Sequence, residues 1–178
     1  MNIQVRDATP DDSAGIAQVQ VDSYRTAYVG LLPEDYLAQF SYEEQTQDWC
    51  DLMASGSSDI LLVAESDGGQ IAGYALGRAL DNKEPAGHTG ELVALHVRKP
   101  YQRRGVGHGL VAAMAERLSS SGSSSLMLWV LEGNSARQFY EKLGGVPAGK
   151  QTVQLGEDIF ASEVGYNWPD IRALCNAR

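Results

Sequence analysis

With 178 residues, 43% of them apolar, the chain is long enough for one domain with a sizeable core. A formal net charge of −9 opposes general nucleic-acid binding, no apolar run approaches the ~20 residues of a membrane span, and Met1-Asn2-Ile3-Gln4-Val5-Arg6 carries no signal-peptide pattern. Two cysteines, Cys50 and Cys175, and three histidines without metal-ligand spacing predict neither a disulfide frame nor a metal centre, and the expected setting is the cytoplasm.

Ile3 and Val5 open a first strand. Thr9-Pro10-Asp11-Asp12 combines an N-cap residue, proline at the first helical position and first-turn acids, predicting a helix from about Pro10 to Tyr28. Ile16, Val19 and Tyr24 fit its buried stripe. A short helix is predicted over Pro33 to Gln39. Ser41-Tyr42-Glu43-Glu44 is a capping box for a third helix, which carries Trp49, Leu52 and Met53 and stops at Ser55-Gly56. Ile60 to Ala64 and Ile71 to Leu76 flank Asp67-Gly68-Gly69 as a β-hairpin.

A polar loop from Asp81 to Thr89 leads to the apolar strand Glu91 to Val97, and Leu110 to Leu118 has helical spacing. The serine-rich run 119–125 predicts a flexible connection rather than a domain boundary. Leu126 to Leu131 is a buried strand, and Asn134 and Gly144 bound a short helix. Gln151 to Leu155 pairs with Ile159 to Tyr166 around Gly156-Glu157-Asp158, and 169–178 is read as a tail. This order predicts a single α/β domain over 1–178, a mixed sheet with helices on both faces.

Between the central strand and its helix lies Tyr101-Gln102-Arg103-Arg104-Gly105-Val106-Gly107. A glycine-containing turn opening a helix presents free N–H groups and the positive end of the helix dipole, an anion site suited to phosphate. Arg103 and Arg104 add fixed charge, and Gly105 and Gly107 admit a bulky ligand to the backbone. A P-loop would need Lys-Ser or Lys-Thr after the last glycine, and a dinucleotide fold would need G-x-G-x-x-G directly after the strand. Neither spacing is present. The pattern Q/R-x-x-G-x-G/A is, and it resembles the signature of the GCN5-related N-acetyltransferases, which bind acetyl-coenzyme A. The segment Asn134-Ser135-Ala136-Arg137-Gln138-Phe139-Tyr140-Glu141-Lys142-Leu143-Gly144 resembles the superfamily's second signature. Val21 to Tyr28 and Gly30 to Pro33 resemble a subgroup of small bacterial members.

The resemblance implies a mixed-sheet acyltransferase fold and direct transfer of acetyl from acetyl-CoA to a primary amine of a small molecule, polyamine or peptide, without a metal. It implies coenzyme contacts from Leu95, His96, Val97, Gln102, Arg103, Arg104, Gly105, Val106, Gly107, His108, Asn134 and Tyr140. A bulge in the strand ending at Val97 would aim the Val97 N–H at the acetyl oxygen, with Leu95 and Val97 pairing the pantetheine arm. Tyr140 would give a proton to the leaving thiolate, the alternative being a core tyrosine. Glu91 occupies the slot of a general-base glutamate, the alternative being a strand residue at its wet end; a carboxylate near ~4.3 facing an amine near ~10 leaves about 8 kcal/mol for direct transfer. His96 falls one residue off the Glu91/Val93/Leu95 alternation, so without the bulge it points to the opposite face and reads as structural or surface, the alternative being a catalytic base. Asn134 lies six residues before Tyr140 where many members have seven, and Gly145 replaces an aromatic that often follows Leu-Gly. Tyr24, Tyr28, Leu32, Trp49 and Tyr74 are candidates for lining the acceptor pocket, or plain core. A coenzyme-binding module without turnover, and transfer of another acyl group or to a hydroxyl, are the rival readings. The sequence leaves a homodimer open.

Overall fold

A computed structural model describes residues 2–80 and 89–175. The polar loop ahead of Thr89, with His88, lies outside the described residues. The elements run β1 (Ile3–Asp7), α1 (Ser13–Ala27), α2 (Glu34–Leu37), α3 (Tyr42–Ala54), β2 (Ile60–Ser66), β3 (Ile71–Ala79), β4 (Gly90–Val97), α4 (Val106–Ser120), β5 (Leu126–Leu131), α5 (Arg137–Lys142), β6 (Val146–Gly156), β7 (Ile159–Trp168) and α6 (Arg172–Cys175). The seven strands form one sheet in the order β1-β2-β3-β4-β5-β7-β6. Only β4 and β5 pair in parallel; every other neighbour is antiparallel.

Each face of the sheet carries its own core. On one, Ile16 and Val19 of α1 and Trp49 of α3 pack against Val63, Ile71 and Tyr74. On the other, Leu110, Met114 and Leu118 of α4 and Tyr140 of α5 cover Leu62, Ala75, Leu92, Leu126 and Leu128. The predicted first helix opens with a 3-10 turn, Pro10–Asp12, before α1. There Asp12 accepts two bonds from Arg6, at 2.7 and 2.9 Å, and one from the Thr9 N–H at 2.8 Å. Ser41 caps α3 as expected, its hydroxyl accepting from the Glu44 N–H at 3.2 Å.

Two expectations need correction. The serine-rich run is not a loose connector: α4 extends through Ser120, and Thr89 holds Ser123, Ser124 and Ser125 across the fold. The Ser123 hydroxyl donates to the Thr89 carbonyl at 2.8 Å, and the Thr89 hydroxyl accepts from the Ser124 and Ser125 N–H groups at 2.8 and 3.0 Å. Nor is the described part of the C-terminal tail loose. Ile171 and Leu174 are 1% and 0% exposed and join the α4 core.

Candidate active site

Strands β4 and β5 register only at Glu91 and Met127, then part. The cleft between them has a volume of about 1420 Å³ and is lined by residues of β4, β5, α1, the turn before α4 and the start of α5. On its other edge β4 pairs β3 with one irregularity: Leu76 faces Ala94 and Gly77 faces Leu92, so Val93 is the extra residue of a bulge. The strand ending at Val97 thus carries a bulge, as expected, and it falls at Val93. Beyond it the Arg98 N–H bonds the Ala72 carbonyl at 2.9 Å. Because backbone groups alternate along a strand, the N–H groups of Val97 and Leu95 face the cleft. The Val97 carbonyl on that side is already taken by the Gln102 side chain, 2.9 Å away.

The turn before α4 is held from outside. Tyr101 is buried and its hydroxyl donates to Gln70 at 2.8 Å. Arg103, at φ 60°, and Gly105, at φ 84°, both adopt the left-handed conformation. Left-handed residues in such a turn gather successive N–H groups into an anion-binding concavity. The first α4 amide with a backbone partner is that of Gly109, which bonds the Gly105 carbonyl at 2.9 Å, so among the described residues the N–H groups of Val106, Gly107 and His108 stay free. Gln102, Arg103, Gly105, Gly107 and His108 line the cleft. The Val106 side chain is buried in the core, so only its backbone is on offer. Arg104 is exposed and lies outside the cleft lining.

Tyr140 reaches the cleft from α5 and is 7% exposed. Its ring is fixed among Phe139, Tyr166 and Trp168, with centroids 5.4, 6.3 and 6.5 Å away. Burial holds the phenol well above its ordinary pKa. Gly145 has a physical reason: a Cβ there would stand 2.7 Å from the Trp168 ring, whose indole N–H donates to the Leu143 carbonyl at 2.9 Å. Asn134 is not the N-cap of α5, which is Ala136; its side-chain oxygen accepts from the Ala136 N–H at 2.8 Å. Asn134 lines the cleft, and its NH₂ is not used by that bond.

Of the proposed acceptor-pocket residues, Tyr24, Tyr28 and Leu32 line the cleft, joined by Tyr36. Tyr74 and Trp49 do not. Tyr74 is 1% exposed in the α1–α3 core with the Trp49 ring 5.1 Å away, and the Trp49 indole N–H donates to Gln20 at 2.7 Å. Glu91 does not line the cleft either, and its carboxylate is bound by Arg78 at 2.6 to 2.7 Å.

His96 does line it, because the extra residue at Val93 shifts the strand's alternation and turns His96 toward α1. Its ring sits 5.6, 6.4 and 5.3 Å from those of Tyr24, Tyr28 and Tyr74. Burial lowers its pKa to about 4, so the imidazole is neutral at pH 7. Sequence reasoning missed Lys99, Lys142, Phe139, Tyr36 and Glu163, all cleft-lining. Phe139 and Lys142 sit one turn apart within the second signature segment and were the most accessible of these.

One end of the cleft thus offers free amides and cations, the other tyrosines, with a buried phenol between. The chain belongs to the acetyltransferase (GNAT) family, whose model matches residues 21–145. It is 34% identical over 172 residues to an uncharacterised N-acetyltransferase, YuaI, of Bacillus subtilis, covering 97% of this chain and 96% of that one. Its fold superposes on an N-acetyltransferase from Staphylococcus aureus Mu50 with a TM-score of 0.72, at 19% identity over 96% of this chain and 99% of that one. It also matches yncA, a putative acetyltransferase of Salmonella typhimurium solved with acetyl-CoA, with a TM-score of 0.69 and 16% identity over 94% of each chain.

Proposed function

We propose that this chain transfers the acetyl group of acetyl-CoA directly to a primary amine, with both bound together in the β4–β5 cleft. The observation that carries the reading is the division of that cleft into an amide-rich cationic end and a neutral aromatic end, bridged by Tyr140. The free N–H groups of Val106, Gly107 and His108, with Arg103 beside them, suit a diphosphate. The N–H groups of Leu95 and Val97 and the Asn134 NH₂ suit the pantetheine amides and the acetyl oxygen.

Tyr140 is assigned as hydrogen-bond donor to the departing sulfur. Its raised pKa keeps the phenol protonated at every working pH, so it steadies the thiolate, near ~8.5, without giving up its proton completely. With Glu91 bound to Arg78, the amine enters in its neutral form, at about 4 kcal/mol from pKa ~10 at pH 7. Its second proton, lost after attack, passes to His96 or water. Neither cysteine lines the cleft, which favours direct attack over an acyl-enzyme.

Thiol release from acetyl-CoA with an amine panel, measured while both substrates are varied, tests this. Intersecting double-reciprocal lines are expected. Parallel lines would demand an acyl-enzyme, and coenzyme binding without any release would make the chain a binding module.

A further inference from the structure

We infer that Glu163 recognises a second positive charge on the acceptor, so that the preferred substrate is a linear diamine or a longer amine with a remote ammonium group. This rests on the acetyl-transfer reading and names its substrate class. Glu163 lies on β7 opposite Leu131 of β5, and its half-buried side chain lines the cleft. It faces the tyrosine end: the Tyr28 hydroxyl is within electrostatic range of both the Glu163 carboxylate and the Tyr140 phenol.

The carboxylate's one hydrogen bond comes from a neutral donor, the Gln151 side-chain amide at 2.8 Å, and among the described residues no cation pairs with it. The amide orients the group and leaves its charge uncompensated. A negative charge in a partly desolvated site is costly unless something arrives to match it. Two cations on the cleft wall, Arg25 and Arg98, are committed elsewhere. Arg25 donates to the Phe40 carbonyl at 3.2 Å and stacks over Tyr42, and Arg98 pairs with Asp22 at 3.5 Å.

The surroundings suit an ammonium group and repel a carboxylate. Tyr24, Tyr28 and Tyr36 present rings and phenols that burial keeps uncharged. Tyr24 and Tyr28 pack edge to face, with centroids 4.9 Å apart. A diamine places its reactive nitrogen near Tyr140 and its second nitrogen on Glu163. A monoamine of the same length leaves the carboxylate unmatched, and an amino acid sets two carboxylates against each other.

The test uses the full chain and Glu163→Gln, whose amide oxygen can still accept from Gln151. Initial rates with acetyl-CoA are measured for putrescine, cadaverine, butylamine and γ-aminobutyrate, and putrescine is titrated calorimetrically into the protein with coenzyme A present. Putrescine should exceed butylamine in kcat/KM by about 10-fold or more. Glu163→Gln should raise KM for the diamines about 10- to 100-fold, the worth of a hydrogen bond to a charged group, while KM for butylamine, which does not use the carboxylate, shows no such rise. Equal KM values for putrescine and butylamine in both proteins, with thiol released, would overturn the recognition role and leave acetyl transfer standing. A uniform fall in kcat on every amine would make Glu163 a proton acceptor and overturn it too. Putrescine binding lost in Glu163→Gln, with no thiol released by either protein, would support recognition and sink the transfer reading. Absence of both binding and release would sink both.

Discussion

The placement of His96 makes a sharp forecast for acid stability. The unfolded chain holds a proton on this imidazole up to about pH 6.5, whereas burial in the fold lowers its pKa to about 4. Between those values the unfolded state binds more protons, so stability rises with pH across the window. The penalty is absent above about 6.5, grows as pH falls, and is complete below about 4. A shift of that size is worth about 3 kcal/mol in full, and about 2 kcal/mol between pH 7.5 and pH 5. Urea unfolding at those two pH values, for the native chain and for His96→Phe, reads the effect. Phenylalanine keeps a ring against Tyr24, Tyr28 and Tyr74 and cannot titrate. The native midpoint should fall by about 1 M urea more than the variant's over this interval, given a slope near 2 kcal/mol per M. Equal pH dependence in the two proteins would refute the claim that His96 is held neutral by its surroundings.

Gly105→Glu should weaken coenzyme A binding about 100-fold in a calorimetric titration, because its carboxylate would project toward the diphosphate; Gly105→Ala should cost far less. Nothing lies within 4 Å of an added Cβ, so both variants should fold, with about 1 kcal/mol of left-handed strain visible in urea. Tyr140→Phe should lower kcat about 100-fold while leaving the dissociation constant of coenzyme A nearly unchanged; an equal loss in both would assign Tyr140 to binding. Leu174→Ala should destabilise the fold by about 2 to 5 kcal/mol in urea, whereas a dispensable tail would show no change.

What the sequence disclosed and what it hid divide along local and long-range lines. The turn before α4 was legible because its glycines, arginines and flanking apolar runs are contiguous. So were α3, through its capping box, and the β2–β3 hairpin, through its glycine turn. That His96 lines the cleft and Glu91 does not was not legible, because it depends on which residue of β4 bulges against β3. That count is settled between strands, and one residue reverses every side chain beyond it. The serine-rich run misled through composition: its partner Thr89 lies more than thirty residues away. Glu163 looked like an alternating polar position on an edge hairpin, and only the parting of β4 from β5 exposes it to a ligand. Ile171 and Leu174, three residues apart, carry a short helical signal within 169–178.

That parting has a mechanical side. A sheet joined across its middle at a single position is two plates meeting at a seam, kept together by the α4 and α5 side chains beneath. An extended guest seated against β4 would act as mortar, adding main-chain bonds where the protein supplies none of its own. Occupancy and rigidity would then rise together, and the emptied seam would be where the molecule first begins to breathe.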